Sequence, residues 1–187
     1  MRSLLLAAAL LSGQVPAATA QSARSAERNS NRTMVHSIEI RASAKDVYRA
    51  LTTPEGWRRW AVGVAWEVQR HPRIIETSYD PRAMPGGPAT IRQLFVREEP
   101  YRLVEFRTIK APRGFDGFDT YRNVINRLEL RSVGPHRTRL RFIAGPFPDT
   151  ATGRKLFRFF DSGNRKTLEN MAEVLGRGAQ SRFQAEQ

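Results

Sequence analysis

Four side chains of types that can move protons fall on strand or helix faces that are otherwise apolar. His36 lies on the apolar face of an alternating strand, where it could act as a buried proton carrier or as a satisfied structural histidine. Tyr79 and Arg92 fall on the apolar faces of two later strands, and Asp161 accompanies the apolar stripe of the last helix. We therefore take His36, Tyr79, Arg92 and Asp161 as catalytic candidates, although no motif joins them.

Metal, cofactor and nucleophile chemistry has no motif in the chain. Its 187 residues include no cysteine and only three histidines, which excludes thiolate sites and disfavours a metal cage. His71 and His136 stand beside prolines or in Gly-Pro turns. No HExxH, nucleophile-elbow, EF-hand or phosphate-loop pattern is found. The sequence therefore predicts neither a metal ion nor a cofactor.

The N-terminal segment is expected to be removed before the domain functions. Residues 1–20 have a positive start, an apolar run over residues 3–11 and a small-residue cleavage pattern that ends at Ala20. A membrane anchor or a buried helix is the alternative, but the run is shorter than the about 20 apolar residues that span a bilayer. We predict a signal peptide over residues 1–20, export to the periplasm or beyond, and a flexible polar leader over residues 21–33.

Residues 34–177 are predicted to form one α+β domain. Apolar residues alternate with polar ones in several runs, which favours half-buried strands with one arginine-rich face. Two short helices are predicted between the first two strands, at 44–51 and 54–60. The predicted strands cover 34–40, 64–69, 73–79, 89–97, 102–110, 120–133 and 138–144.

The last element is predicted to be a long helix that packs across the sheet. Asp149 or Thr150 would cap its start, and an apolar stripe continues to about Leu175. Gly176 and Gly178 are predicted to end it and to leave a polar tail over residues 178–187. A curved antiparallel sheet of about six to seven strands would then wrap around this helix.

The two short helices would hold the last helix off the sheet at one end, and the resulting gap is the candidate site. Polar residues that face inward there must pair with each other, with water or with a ligand, because an unpaired buried polar group costs about 1–3 kcal/mol. A one-residue shift in register would instead turn each of them to solvent. The predicted ligand-binding residues are Trp57, Trp60, Tyr79, Arg92, Leu94, Phe106, Phe115, Phe118, Asn126, Phe142, Phe157, Asp161, Asn164 and Leu168.

Three local features each have a structural and a functional interpretation. Trp57 and Trp60 lie on one side of a helical turn, so they either pack in the core or line the cavity mouth. Phe115 and Phe118 lie on a Gly-Phe-Asp repeat that forms either a lid or contact loop or a packed edge. Gly163 costs about 1 kcal/mol in a helix interior, which suggests close strand approach or ligand volume at that point.

The segments at the two ends of the domain resemble a known superfamily. Residues 38–60 (IEIRASAKDVYRALTTPEGWRRW) look like the opening of the START-like, or SRPBCC, superfamily, and residues 164–175 (NRKTLENMAEVL) look like its closing helix. The resemblance covers about residues 35–175 and includes polyketide cyclases/dehydrases and homologues of the heat-shock-protein-90 ATPase activator. It implies a helix-grip fold around a deep apolar cavity. It implies no catalytic residue, because the superfamily shares no catalytic motif.

The charge of the chain bears on its partners. Lys and Arg number 31 against 18 Asp and Glu, a formal net charge of +13, and the arginines are scattered through every segment. Scattered arginines in an exported protein do not predict nucleic-acid binding. They are compatible with attraction to an anionic membrane surface, and we expect a monomer.

Three functions remain open at this level. The first, which we favour because no catalytic motif is found, is a non-enzymatic binder or carrier of a hydrophobic small molecule or lipid. The second is a cyclase/dehydratase-type enzyme in which the four candidate side chains move protons on a bound ligand. The third is a protein-interaction module that uses the outer sheet or the loop around Phe115 and Phe118.

Overall fold

A computed structural model describes residues 31–185 of the chain, with side chains over residues 31–177. The predicted signal peptide and most of the predicted leader lie outside the described residues. The strands are β1 Arg32–Ile40, β2 Val64–Arg70, β3 Arg73–Ser78, β4 Ile91–Glu99, β5 Leu103–Lys110, β6 Ile125–Gly134 and β7 Arg137–Phe147; the helices are α1 Ala44–Thr52, α2 Pro54–Trp60, α3 Phe118–Tyr121 and α4 Ala151–Ala185.

The strands form one antiparallel sheet in the order β1-β7-β6-β5-β4-β3-β2. The first strand therefore pairs with the last, and β2 lies at the opposite edge. Register shifts interrupt four of the six strand pairings, and such bulges increase strand bending. The α+β helix-grip fold expected from the sequence is confirmed.

Short helices α1 and α2 are fixed by their caps and by two tryptophans. The Ser43 hydroxyl accepts from the amide of Asp46 at 3.1 Å, and the Thr53 hydroxyl accepts from the amide of Gly56 at 3.1 Å. Both caps satisfy amides that the first helical turn leaves without partners. The Trp57 indole N–H donates to the carbonyl of Leu51 at 2.8 Å, so α2 folds back onto α1.

Helix α4 lies against the inner face of the sheet and closes the core. Its buried residues Leu156, Leu168, Met171 and Leu175 pack against apolar side chains from β1, β6, β7 and the two short helices. No helix among the described residues is long and apolar enough to cross a membrane.

Three predicted boundaries are wrong. Strand β1 begins at Arg32, inside the predicted leader. Residues 120–124 precede β6, because Gly117, at φ +84°, begins the short helix α3 there. Helix α4 passes both Gly176 and Gly178 and continues to Ala185. A glycine ends a helix mainly by adopting a left-handed conformation, and among the glycines of the described residues only Gly86, Gly114 and Gly117 have positive φ.

Gly163 is not required by any close approach within the protein. A Cβ added there would meet no atom within 4 Å, so the expected strand contact is absent. We therefore expect Gly163→Ala to raise stability by about 1 kcal/mol through helix propensity. The melting temperature should rise by about 2–4 °C. Gly117→Ala is the control: it should lower the melting temperature, because of the positive φ and a Cβ 3.0 Å from Thr152. A lower melting temperature for Gly163→Ala would show that the glycine has a structural role.

Candidate functional site

A cavity of about 280 Å³ lies between the inner face of the sheet and helix α4. Strands β3 to β7, helices α1 and α2, the β5–α3 connection and α4 all contribute to its wall. A cavity of about 150 Å³ lined by apolar side chains accommodates benzene. The space is therefore sufficient for a molecule of about two or three rings.

Aromatic side chains form a large part of the wall. Trp57 and Trp60 line it from α2, and their rings lie 5.6 Å apart. Both indole N–H groups donate to backbone carbonyls of α1, so these rings present an apolar surface to the cavity. The other aromatic residues of the wall are Tyr79, Phe106, Phe115, Tyr121, Phe142, Phe159 and Phe160.

A strip of polar side chains crosses this apolar wall on four consecutive strands. Thr77, Gln93, Thr108 and Asn126 lie on β3, β4, β5 and β6 and are each at most 7% exposed. Thr77 Oγ1, Gln93 Oε1 and Asn126 Nδ2 are buried without a hydrogen-bond partner. Such atoms are uncommon in folded proteins, so the strip is the most distinctive chemical feature of the cavity.

Tyr121 brings a hydroxyl to the same region. Its ring stacks on Phe160 with the centroids 4.1 Å apart. Burial raises the pKa of Tyr121 to about 12, and the nearby polar side chains of Asn126 and Thr108 offset only part of that shift. Tyr121 is therefore protonated at physiological pH.

Tyr79 and Phe159 lie at the solvent-exposed rim of the cavity wall. Both side chains contribute to the wall, yet they are 70% and 64% exposed. Tyr79 follows β3 and Phe159 lies on α4. Large aromatic rings that are both exposed and part of the wall mark its rim.

Of the fourteen residues predicted to bind a ligand, nine line the cavity. Their contact with a ligand remains a prediction. The nine are Trp57, Trp60, Tyr79, Phe106, Phe115, Asn126, Phe142, Asn164 and Leu168.

Arg92 and Leu94 were predicted to face the cavity, and this prediction is wrong because the alternation of β4 is shifted by one residue. Gln93 and Phe95 are the inward residues of β4. Arg92 lies opposite Glu76 in the β3–β4 pair, on the other face of the sheet. There its Nε donates to Glu76 Oε2 at 3.2 Å, and Glu76 is fully buried.

Phe118 and Phe157 also lie outside the cavity wall. Phe118 is the first residue of α3, and the Arg122 guanidinium lies 5.8 Å from its ring centroid. Phe157 packs edge-on against Phe147 at 5.6 Å. Phe115, by contrast, packs against Tyr121 and Phe160, so it is part of the wall rather than of a sheet edge.

His36 and Asp161 contact each other outside the cavity. His36 Nε2 lies 3.2 Å from Asp161 Oδ1, and the imidazole stacks on Phe142, whose ring belongs to the wall. Of the four catalytic candidates, only Tyr79 therefore reaches the cavity.

Among the residues that the structure describes, no Asp, Glu, His, Lys or Arg side chain lines the cavity. Tyr79 and Tyr121 are its ionisable groups, and tyrosine titrates near pH 10 when unperturbed. Within the described residues, no group of three or more His, Asp or Glu side chains is placed to hold a metal ion.

Sequence reasoning missed several wall residues, and their signals differ. Gln93 lies between Arg92 and Leu94, so the alternation alone favours neither face. Tyr121 falls within the strand predicted over residues 120–133, although Gly114 and Gly117 before it are typical of a turn. Phe160 lies four residues after Leu156 in the long predicted helix, so helical spacing is consistent with its place on the wall.

Solved structures with a similar fold are numerous. The solution structure of the Aha1 dimer from Colwellia psychrerythraea has a TM-score of 0.59 at 17% identity, over 78% of this chain and 96% of that one. The X-ray structure of norcoclaurine synthase from Thalictrum flavum, in complex with dopamine and hydroxybenzaldehyde, has a TM-score of 0.57 at 12% identity, over 97% and 98% of the two chains.

A third similar structure contains two domains. The di-domain ARO/CYC protein BexL from the BE-7585A biosynthetic pathway has a TM-score of 0.61 at 16% identity, over 77% of this chain. The match covers 46% of the BexL chain, so the present chain spans about half of that protein. Identities this low show the fold alone.

Sequence comparisons give the family. No curated protein sequence matches the chain. The sequence model of the family described as polyketide cyclase/dehydrase and lipid transport matches residues 31–176, which is well over half of the chain. The chain therefore belongs to that family, within the START-like (SRPBCC) superfamily that its terminal segments resemble.

Proposed function

We propose that the protein binds an apolar small molecule or lipid in the cavity between the sheet and α4, without catalysing a reaction. The observation that carries this proposal is the cavity itself, about 280 Å³ lined mainly by aromatic and aliphatic side chains. Ligand sites of this kind are concave and mostly apolar, with a few polar groups that fix orientation. The family description is consistent with such a ligand.

The composition of the wall favours binding over acid–base catalysis. A general base must lie within hydrogen-bond reach of the proton it removes, and no carboxylate, imidazole or amine lines the cavity. The candidates His36, Arg92 and Asp161 lie outside it. Tyr121, with a pKa of about 12, can donate a hydrogen bond but does not act as a base at neutral pH.

A cyclase/dehydratase-type enzyme is the second candidate, favoured by the family description and by the protonated Tyr121 hydroxyl on the wall. The two functions differ in what happens to the bound compound. We expect that a compound extracted from protein purified from the cells that produce it is chemically unchanged after incubation with fresh protein. Its conversion, abolished by Tyr121→Phe, would favour the enzyme.

Binding can be measured with N-phenyl-1-naphthylamine, an uncharged three-ring fluorescent probe. We expect saturable binding at one site, with a dissociation constant that changes less than twofold between pH 5 and pH 9. The reason is that the two tyrosines of the wall remain neutral over this range. A dissociation constant that changes more strongly over this range would show that an ionisable group outside the wall takes part, and the absence of saturable binding would contradict the proposal.

We further propose that the protein acts as an exported monomer in the periplasm or outside the cell. The predicted signal peptide supports export, and the net charge of +13 supports attraction to an anionic membrane surface. The intact mass of protein recovered from the producing cells tests the first point, since Gln21 is the expected first residue.

A further inference from the structure

We propose that the ligand of this cavity is uncharged and carries hydroxyl or carbonyl groups, presenting a hydrogen-bond donor to Gln93 and an acceptor to Asn126. This inference rests on the proposed function and adds the chemistry of the ligand. It excludes hydrocarbons as the ligand, because they lack both groups, and it excludes fatty acids and amines, because they carry charge.

The observation behind it is a set of buried polar atoms that the protein leaves unpaired. Four such side-chain atoms occur among the described residues, and three of them lie on residues of the cavity wall. These are Thr77 Oγ1, Gln93 Oε1 and Asn126 Nδ2, on side chains of residues that are 1%, 7% and 3% exposed. The fourth is His36 Nε2, which faces Asp161 instead.

The three atoms belong to one region of the sheet. Gln93 lies opposite Thr108 in the β4–β5 pair, and Asn126 lies opposite Phe106 in the β5–β6 pair. Gln93 and Asn126 are therefore separated by one intervening strand, or about 10 Å across the sheet. A molecule of two or three rings is long enough to present separate groups to the two amides.

The two amides call for complementary chemistry. Gln93 Oε1 is an acceptor and needs a donor. Asn126 Nδ2 is a donor that makes no hydrogen bond, although the Tyr121 hydroxyl lies near its side chain, and it needs an acceptor. The Thr77 hydroxyl can take either role. A binding site with buried polar groups discriminates strongly against an analogue that leaves them unpaired. A purely apolar ligand would cover these atoms without pairing them.

Charge on the ligand is disfavoured by the same wall. The described part of the chain contributes no Asp, Glu, His, Lys or Arg side chain to the cavity wall, so a bound carboxylate or ammonium would be buried there without a counter-ion. Burying a charge without a partner costs far more than burying a neutral polar group. The cations of the described residues lie elsewhere: Arg92 and Lys110, for example, contact Glu76 on the opposite face of the sheet.

Three naphthalene derivatives of similar size test the proposal. 2-Naphthol has one hydroxyl, which can donate to Gln93 or accept from Asn126, 2-methoxynaphthalene has an acceptor only, and 2-ethylnaphthalene has neither. Dissociation constants are measured by displacement of N-phenyl-1-naphthylamine from the unaltered chain, Gln93→Leu and Asn126→Leu. The readout is the ratio of affinities for two probes, because a ratio compared between variants cancels differences in their hydrophobicity.

We expect Gln93→Leu to reduce the preference for 2-naphthol over 2-methoxynaphthalene about tenfold, or about 1.4 kcal/mol. Asn126→Leu should reduce the preference for 2-methoxynaphthalene over 2-ethylnaphthalene by a similar factor. Gln69→Leu, on the exposed part of β2, is the matched control and should leave both ratios within twofold. Gln93→Met replaces Gln93→Leu if circular dichroism shows that leucine disturbs the fold.

The outcomes separate this inference from the proposed function. Saturable binding with ratios unchanged by both substitutions would overturn the inference and leave the proposed function standing. Failure of every neutral probe to bind would overturn both. 2-Naphthoate at pH 7 should bind at least about 100-fold more weakly than 2-naphthol, and equal affinity would overturn the claim that the ligand is uncharged.

Discussion

Thr167→Trp is expected to weaken the binding of N-phenyl-1-naphthylamine at least about 100-fold, or about 2.7 kcal/mol. Thr167 lies on α4 and lines the cavity, with its hydroxyl donated to the carbonyl of Gly163 at 2.9 Å. An indole at this half-buried position would extend into the space that the probe needs. Because protein interiors are close-packed, the wall cannot move aside without strain.

The matched control is Glu169→Trp, which adds the same side chain to the same helix. Glu169 is exposed and lies two residues further on, about 200° around the helix, so it should leave the dissociation constant within twofold. Both variants should keep the far-ultraviolet circular dichroism of the unaltered chain. Unchanged affinity in a folded Thr167→Trp variant would place the probe elsewhere on the protein.

Glu76→Gln is expected to lower the free energy of unfolding by about 3 kcal/mol. Glu76 is fully buried on β3, where Gly86 N–H donates to Oε1 at 2.9 Å and Arg92 Nε donates to Oε2 at 3.2 Å. The Thr90 hydroxyl and Lys110 Nζ also contact Oε1. Breaking a buried ion pair by removing one charge costs about 3–5 kcal/mol, and the partly exposed cations favour the lower part of that range.

The effect should depend on pH in a defined direction. Burial alone would raise the pKa of Glu76, but hydrogen bonds from Thr90, Gly86 and Arg92 and the Arg92 charge hold it below its ordinary value of 4.5. A carboxyl with a lowered pKa in the folded state stabilises the fold fully above its unfolded pKa. That contribution is lost as the pH falls through the folded pKa. The difference between the two chains should therefore shrink below about pH 4.5.

Urea denaturation between pH 3 and pH 7 measures both effects. Glu67→Gln is the control, because Glu67 makes a surface ion pair with Arg70, and such pairs contribute about 0–1 kcal/mol. A Glu76→Gln variant as stable as the control at pH 7 would show that this network does not stabilise the fold. A difference that grows as the pH falls would contradict the direction given for the pKa.

The alternation of apolar and polar residues predicted the inward-facing side chains correctly where one face of the sheet is buried and the other is exposed to solvent. On β6 and just before it, the buried side chains are Val124, Asn126, Leu128 and Leu130. Their neighbours from Asn123 to Arg131 are half-buried or exposed. The pattern failed on β4 for a physical reason. Residues 80–90 pack over Glu76, so that β3 is buried on both faces, and Arg92 is then held outside the cavity by a buried carboxylate.

The sequence predicted that a cavity lies between the sheet and the last helix, but it identified only some of the polar side chains on the cavity wall. Asn126 was expected to face inward and does. Gln93 was not expected to face the cavity. The face formed by residues 91, 93 and 95 and the face formed by residues 92 and 94 each contain both apolar and polar side chains, so the pattern does not say which face is inward. His36 and Asp161 are 125 positions apart in the chain, and nothing local indicates that β1 and α4 bring them together outside the cavity.

The most direct test is a crystal structure of the protein with 6-bromo-2-naphthol, located by the anomalous scattering of bromine. We expect one strong bromine peak between the sheet and α4, enclosed by Phe106, Phe142 and Leu168, all of which line the cavity. A structure in which the protein's own side chains fill that volume, with bromine absent or on the outer surface, would contradict it.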